Sequence, residues 1–199
     1  MAKLMPSLVA VALSTAIAGC SPAEQQEPKI TINANPYPST YQILPNSTTL
    51  LKNAIVLTGT GERIDNADVL IKDGKISAVG QQLSAEGAVV VDAKGKWITP
   101  GIIDVHSHLG VYPSAEVWAE HSVWPQDPGF NRAREGGITT LQILPGSANL
   151  IGGRGVTLKN VPATTMQAMK FPAAPYGLKM ACGENPKSLY GSRNELPMT

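Results

Sequence analysis

Several features that define common protein classes are scarce in this sequence of 199 residues. Aromatic residues make up only 5% of it, and the 16 basic residues barely outnumber the 15 acidic ones, with no basic run. A nucleic-acid-binding surface needs clustered positive charge, usually interleaved with aromatic side chains, so this class of partner is excluded. The apolar stretch at residues 8–18 is too short to cross a bilayer, which takes about 20 residues.

Cysteine is also scarce, and the first of the two cysteines has its own explanation. Lys3 and the apolar stretch after it form a signal peptide over residues 1–20, which ends on Cys20 in a pattern that resembles a bacterial lipobox. The resemblance implies lipidation of Cys20 and a membrane anchor. Ser21 resembles an outer-membrane address, which implies the periplasmic face of the outer membrane in the bacterial envelope. The alternative is an ordinary cleaved signal peptide with an incidental cysteine. Cys182 then lacks a disulfide partner and is expected to be a buried, small apolar residue.

Composition divides the rest of the chain into segments. Residues 21–47 are polar and rich in proline, which predicts a disordered tether. Residues 48–97 contain short β-branched runs separated by turn residues, which predict a small β-structured subdomain. Within it, Asp73-Gly74 predicts a hairpin, because both residues readily adopt the positive φ values of a tight turn.

A pair of histidines follows the strongest strand signal. Pro100-Gly101 makes a turn, and the β-branched run from Ile102 to Val105 predicts a buried strand that ends at the histidines. Residues i and i+2 of a strand point to one face, so His106 and His108 are expected to project side by side. Two neutral imidazoles in that arrangement can bind one divalent cation. The alternative is a pair of loop histidines that bind no metal.

A second strand is expected at residues 138–144, after a helix that ends near residue 136 at a pair of glycines. The two strands and the helix between them predict a parallel β/α unit. A glycine-rich loop at residues 145–155 then follows, without the arrangement of a phosphate-binding loop. Arg154 in this loop is either a contact for a substrate carboxylate or an exposed surface arginine.

Three segments, TPGIIDVHSHLG, GGITTLQILPGS and LKMACGENP, resemble the amidohydrolase superfamily in its imidazolonepropionase-like branch. The resemblance implies an α/β fold in which a small β-sandwich precedes a metal-dependent (β/α)8 TIM barrel. Residues 48–97 would then be the N-terminal part of the sandwich, and residues 98–199 the first part of the barrel. Because such a barrel takes about 250 residues, we expect an incomplete barrel, the N-terminal portion of a longer enzyme.

The resemblance also implies a chemistry. It is hydrolysis of carbon–nitrogen bonds in a small cyclic amide or dipeptide-like substrate, by water activated on one or two divalent cations, with zinc expected. His106 and His108 match the family's metal pair, and either Lys179 or Glu184 is the candidate for the bridging ligand. His121 is either a substrate contact or a solvated loop residue. The general-base aspartate is expected on a strand outside this chain, so the isolated chain is expected to be inactive. The alternative function is a non-catalytic, lipid-anchored binding module of the envelope.

Overall fold

The computed structural model describes residues 31–111 and 117–193. Residues 31–34 belong to a first unit and form no helix or strand, whereas the helices and strands of the described residues lie in a second unit that begins at Asn35. The strands are β1 (Thr49–Leu57), β2 (Arg63–Lys72), β3 (Lys75–Gly80), β4 (Val89–Asp92), β5 (Trp97–Ile98), β6 (Ile102–Ser107), β7 (Val117–Trp118), β8 (Ile138–Ile143), β9 (Ile151–Arg154), β10 (Val156–Lys159) and β11 (Leu178–Met180). The α-helices are α1 (Pro128–Glu135), α2 (Met166–Met169) and α3 (Glu184–Ser192).

The first sheet contains β1 to β5 in the order β3-β2-β1-β4, with β5 also paired with β1. β2 and β3 form the predicted hairpin, whose turn residues Asp73 and Gly74 have φ values of 51° and 71°. Both values lie in the left-handed region that a tight hairpin turn requires. The buried apolar residues of this cluster alternate along β1 and β2, as in a sheet with one covered face: Ala54, Val56, Ala67 and Val69. The described residues thus form one layer, and the second layer of a sandwich stays a prediction.

A buried carboxylate organises one irregular point of this sheet. Asp68 is 2% exposed and accepts hydrogen bonds from the backbone N–H of Asn53, at 3.0 Å, and of Leu83, at 2.9 Å. Asn53 has a φ of 63°, where the register of β1 against β2 shifts. Its side chain donates to Asp92 on β4 at 3.0 Å, and this bond, with the backbone N–H of Lys94, lowers the pKa of the Asp92 carboxyl.

The second sheet, in the order β10-β8-β6, contains the predicted β/α unit. β6 and β8 are parallel, and α1 lies between them in sequence. Asp127 caps α1 by accepting from the backbone N–H of Gly129 at 2.7 Å, and Gly137 follows its end with a φ of 87°. The core next to the second sheet consists of side chains from β8, β10 and the helices, including Phe130, Leu141, Ile143, Leu158 and Met169.

One part of the strand prediction is wrong for the described residues. β6 forms where expected, but Ile103 and Val105 are 65% and 66% exposed rather than buried. The reason is that both faces of β6 are largely uncovered among the residues described, and this strand pairs with β8 alone.

The third sheet, in the order β11-β9-β7, corrects one sequence prediction. β9 lies inside the expected glycine-rich loop, and β7 pairs with it just before a 3-10 turn at Ala119–His121. α3 begins at Glu184, after the last strand of this sheet. The partners in this sheet are distant in sequence, so pairing rather than local propensity forms these strands.

The segment expected to be a disordered tether is fixed in part. Residues 31–47 contain no helix or strand. However, Ser39 Oγ donates to the carbonyl oxygen of Lys170 at 2.6 Å, and the backbone N–H of Thr40 donates to the carbonyl oxygen of Gln167 at 3.0 Å. These bonds hold residues 39 and 40 against the C-terminal end of α2. No helix within residues 31–111 and 117–193 is long and apolar enough to cross a membrane.

Candidate metal centre

The histidine pair lies at the C-terminal end of β6. The ring centroids of His106 and His108 are 5.2 Å apart and their planes cross at 79°. Asp104, two residues earlier on the same strand, accepts through Oδ1 from the backbone N–H of His106 at 3.0 Å. The rings are therefore close neighbours, and Asp104 fixes the backbone that carries the first of them.

The neighbouring parallel strand orients His108. Its Nδ1 lies 2.7 Å from the carbonyl oxygen of Leu144, the residue that follows β8. A carbonyl oxygen only accepts, so Nδ1 carries the proton and donates. The lone pair is then on Nε2, which is the arrangement found in metal-binding histidines whose other nitrogen is held by a backbone carbonyl.

Lys179 converges on the same point from the third sheet. Its Nζ lies 3.0 Å from His106 Nε2, although 73 residues separate the two in sequence. The lysine is only 8% exposed, and it lies opposite Gly153 in the β9–β11 pair. Because an ammonium group has donors only, Nε2 of His106 accepts in this contact. Both the lysine nitrogen and the imidazole lone pair therefore point to one small volume.

A glycine makes room for the lysine stem. A Cβ atom at Gly152 would lie 3.1 Å from Lys179 Cγ and 3.0 Å from the carbonyl oxygen of Gly146. Both distances are shorter than ordinary van der Waals contact, so only glycine lets β9 approach Lys179 this closely.

The other candidate residues lie elsewhere. Glu184 is exposed at the start of α3, where its carboxylate accepts from Ser188 Oγ at 2.9 Å. His121 is in edge-to-face contact with Tyr37, with ring centroids 5.1 Å apart. The guanidinium of Arg154 stacks on Tyr176, with its carbon 3.3 Å from the ring centroid. The structure thus brings together His106, His108 and Lys179, and it shows no contact of Glu184, His121 or Arg154 with that group.

Two cysteine predictions have different outcomes. Cys20 and the whole signal peptide lie outside the described residues, so lipidation and the envelope location stay predictions. Cys182 is exposed, which corrects the expectation that it is buried. It follows β11 by two residues, where the chain has already left the sheet.

The donor set fits a divalent cation only when Lys179 contributes. In the part of the chain that the structure describes, no three His, Cys, Asp or Glu side chains lie close enough to hold a metal ion. Two imidazoles alone make an incomplete site, because zinc usually takes three or four protein ligands. Of the two candidate bridging residues, Lys179 is the one whose buried amine contacts this pair. The sequence points to the histidine pair and, separately, to Lys179, but it does not predict the contact between them.

Comparisons with known proteins find relatives that are named as amidohydrolases or related hydrolases. The amidohydrolase tasK of Hapsidospora irregularis is 34% identical over 76% of this chain, which covers 20% of that protein. The dihydroorotase of Halalkalibacterium halodurans is 39% identical over 49% of the chain, which covers 21% of that enzyme. The allantoinase of Bacillus licheniformis is 36% identical over 60% of this chain, and the aligned part covers 22% of the allantoinase. The chain therefore spans about a fifth of the length of these relatives.

The fold has a counterpart among solved structures. The amidohydrolase from Thermotoga maritima superposes with a TM-score of 0.69 and is 37% identical, over 76% of this chain and 43% of that one. No family model matches the sequence. The relatives and the structural match together support the amidohydrolase superfamily for this chain, and with it a partial amidohydrolase fold.

Proposed function

We propose that this chain provides the first metal ligands of a metal-dependent amidohydrolase, which hydrolyses a carbon–nitrogen bond in a small cyclic amide or a dipeptide-like molecule. The observation that supports this most strongly is the convergence of Lys179 Nζ on His106 Nε2, at 3.0 Å. The relatives named dihydroorotase and allantoinase support the cyclic amide as substrate class.

His106 and His108 would hold the cation through Nε2, the nitrogen that the Leu144 carbonyl leaves available on His108. A bound divalent cation, zinc in our proposal, supplies an activated water at neutral pH and polarises the scissile carbonyl. The chain's own contribution is to fix both rings before the cation arrives. The carbonyl of Leu144 orients the ring of His108, Lys179 Nζ contacts the ring of His106, and the side chain of Asp104 fixes the backbone of His106.

Lys179, rather than Glu184, is the bridging residue in this proposal. Its ammonium group would first lose one proton, and the resulting amine would add to carbon dioxide, forming a nitrogen–carbon bond and releasing a second proton, so that a cation becomes a carbamate with two oxygen ligands. Burial at 8% exposure beside an imidazole acceptor favours a fixed position for this group. Glu184 is exposed and bonded within its own helix.

These three residues do not make a complete catalyst. None of them can act as the general base once it binds a cation, and the relatives are about five times longer than the aligned segment. We place the general base and the remaining ligands in that further length. The whole enzyme, rather than residues 31–193 alone, would then carry the activity.

The test uses the complete gene product purified without chelator. We expect at least one equivalent of divalent metal per chain and hydrolysis of a substrate from a panel of dihydroorotate, allantoin, hydantoins and dipeptides. A chelator should abolish the activity, and added zinc should restore it. A gene product that retains no metal, and that hydrolyses none of the panel when zinc is saturating, would favour the non-catalytic binding module instead.

Gly152→Ala is expected to displace Lys179 without touching either histidine. The new methyl group would press on Lys179 Cγ from 3.1 Å and on the Gly146 carbonyl from 3.0 Å. Misplacement of a site residue by about 1 Å can cost on the order of 100-fold in rate; here the neighbours must yield by only a few tenths of an ångström, so we expect a loss of about 3- to 10-fold in kcat/KM. Gly146→Ala is the matched control, because a Cβ there meets nothing within 4 Å. Equal losses in the two variants would contradict the packing role of Gly152.

A further inference from the structure

We propose that a cavity beside the 3-10 turn at Ala119–His121 binds a small uncharged molecule that combines a primary amide with a short apolar body. The cavity has a volume of about 470 Å³. Cavities that bind small molecules commonly measure about 300–1,000 Å³, so the size suits such a ligand. None of the three residues of the candidate metal centre lines this cavity, which is therefore a separate site.

One buried oxygen in the wall of this cavity has no hydrogen-bond partner among the described residues. The side chain of Glu120 lines the cavity and is 1% exposed. Its Oε2 accepts from Lys170 Nζ and from the hydroxyl of Tyr176, both at 2.8 Å, whereas its Oε1 is shielded from water and accepts no hydrogen bond. A buried acceptor without a donor is unfavourable, so a ligand that supplies the donor gains the free energy of this missing bond.

The two oxygens of Glu120 have different surroundings. Lys170 and Tyr176, which bind Oε2, do not line the cavity, whereas His121 does. His121 Nε2 lies 3.9 Å from Oε1, which is longer than a hydrogen bond. The side chain of His121 is 48% exposed, and exposed side chains change rotamer within nanoseconds, so its ring can turn aside. A donor inside the cavity can then reach Oε1.

The charge balance of the site favours an uncharged ligand. Glu120 is already paired with Lys170 Nζ at 2.8 Å, so the two buried charges cancel. An ammonium ligand would bring a second cation next to Lys170, and a carboxylate ligand would bring a second anion next to Glu120. Neither would find an unpaired opposite charge there, and a charge that leaves water without such a partner is costly. The donor that Oε1 needs is therefore best supplied by a neutral group.

The other walls select the rest of the ligand. Val123, Pro125 and Met166 give the cavity an apolar surface, which suits a short aliphatic chain. Thr164 and Gln167 also line it, and their side chains carry hydrogen-bond donors for a carbonyl oxygen. A primary amide has an N–H donor for the orphaned carboxylate oxygen and a carbonyl acceptor for this polar pair. An aliphatic primary amide thus matches all three parts of the wall.

The test measures binding of isovaleramide to the complete gene product by titration calorimetry. The comparison probes are N,N-dimethylisovaleramide, which keeps the carbonyl but has no N–H, and the charged isovalerate and isoamylamine. We expect isovaleramide to bind at least about tenfold more tightly than each of them, because only it brings an uncharged donor to a carboxylate. Metal is first removed with a chelator, so that the proposed hydrolysis cannot consume the amide. Either proposal can therefore fail while the other holds.

Variants locate the binding. Glu120→Gln should weaken isovaleramide binding at least about tenfold, because its amide oxygen would accept from Lys170 and its NH2 group, a donor, would face the cavity. Thr164→Trp, at an exposed wall position, should do the same by filling the cavity, and it keeps the test valid if Glu120→Gln does not fold. Thr60→Trp, at an exposed threonine between β1 and β2, is the matched control and should bind normally. Equal binding of isovaleramide and its dimethyl analogue, tighter binding of a charged probe, or unchanged binding in Thr164→Trp would overturn the proposal.

Discussion

Lys179→Ala is expected to lower kcat/KM of the complete gene product by at least about 100-fold and to reduce its bound metal. Removal of residues that merely orient metal ligands costs about 10- to 100-fold, and loss of a direct ligand should cost no less. The contact of Lys179 Nζ with His106 Nε2, at 3.0 Å, places the lysine where such a ligand is needed. The measurements are the metal content after dialysis and kcat/KM at saturating zinc.

Two comparisons make this result specific. A short carboxylate such as propionate should restore part of the activity of Lys179→Ala, because its oxygens can replace those of a lysine carbamate; a purely structural lysine would show no such rescue. Lys187→Ala, on the exposed side of α3, should leave activity unchanged. Glu184→Ala decides between the two candidate bridging residues. If it removed the metal while Lys179→Ala kept it, the assignment would be reversed.

Local signals predicted the parts of the fold that depend on local geometry. The Asp73-Gly74 turn needs two positive φ values, and these residues supply them. The histidine pair could be placed because the two-residue repeat of a strand requires no knowledge of the rest of the fold. The end of α1 could be predicted for the same reason, because two glycines follow it directly in the sequence.

Long-range pairing explains what the sequence did not reveal. β9 is glycine-rich and has no alternating pattern, so its strand conformation comes from Leu178–Met180, which pair with it from more than 20 residues away. The choice of Lys179 over Glu184 depended on that pairing, because both residues have ordinary local sequences. One signal was available: Lys170 and Lys179 are single charges inside short apolar runs, and both are buried. A lysine in such a run needs a partner, although sequence alone does not name it.

Lys170→Met is expected to lower the free energy of unfolding by about 3–5 kcal/mol, the usual cost of removing one partner of a buried ion pair. The side chains of Lys170 and Glu120 are 6% and 1% exposed, and their charged atoms lie 2.8 Å apart. Lys170 Nζ also donates to Asn35 Oδ1 at 2.8 Å and to the carbonyl of Tyr37 at 2.5 Å. Without the lysine, the Glu120 carboxylate would stay buried with the Tyr176 hydroxyl bonded to it and His121 Nε2 at 3.9 Å, and neither replaces the ammonium group at 2.8 Å.

Urea unfolding followed by circular dichroism measures this loss. Arg63→Gln is the control, because the Arg63–Asp65 pair is closely spaced, at 2.9 Å, but its side chains are 53% and 60% exposed. Exposed pairs contribute about 0–1 kcal/mol, so a similar loss in both variants would contradict the buried role of Lys170. The double variant Lys170→Met with Glu120→Gln should recover part of the stability, since it removes the isolated charge.

The same substitution should change one part of the chain more than the rest. Asn35 and Tyr37 are bonded to Lys170 Nζ, and Asn35 Oδ1 also lies 3.0 Å from the hydroxyl of Tyr176, which itself contacts that lysine, whereas Ser39 and Thr40 are bonded to backbone carbonyls of α2 and its end. Lys170→Met should therefore release residues 35–37 first and expose them to limited proteolysis under native conditions, before the sheets unfold. Cleavage confined to the first sheet, with residues 35–37 still protected, would show that the network stabilises the fold without holding this segment.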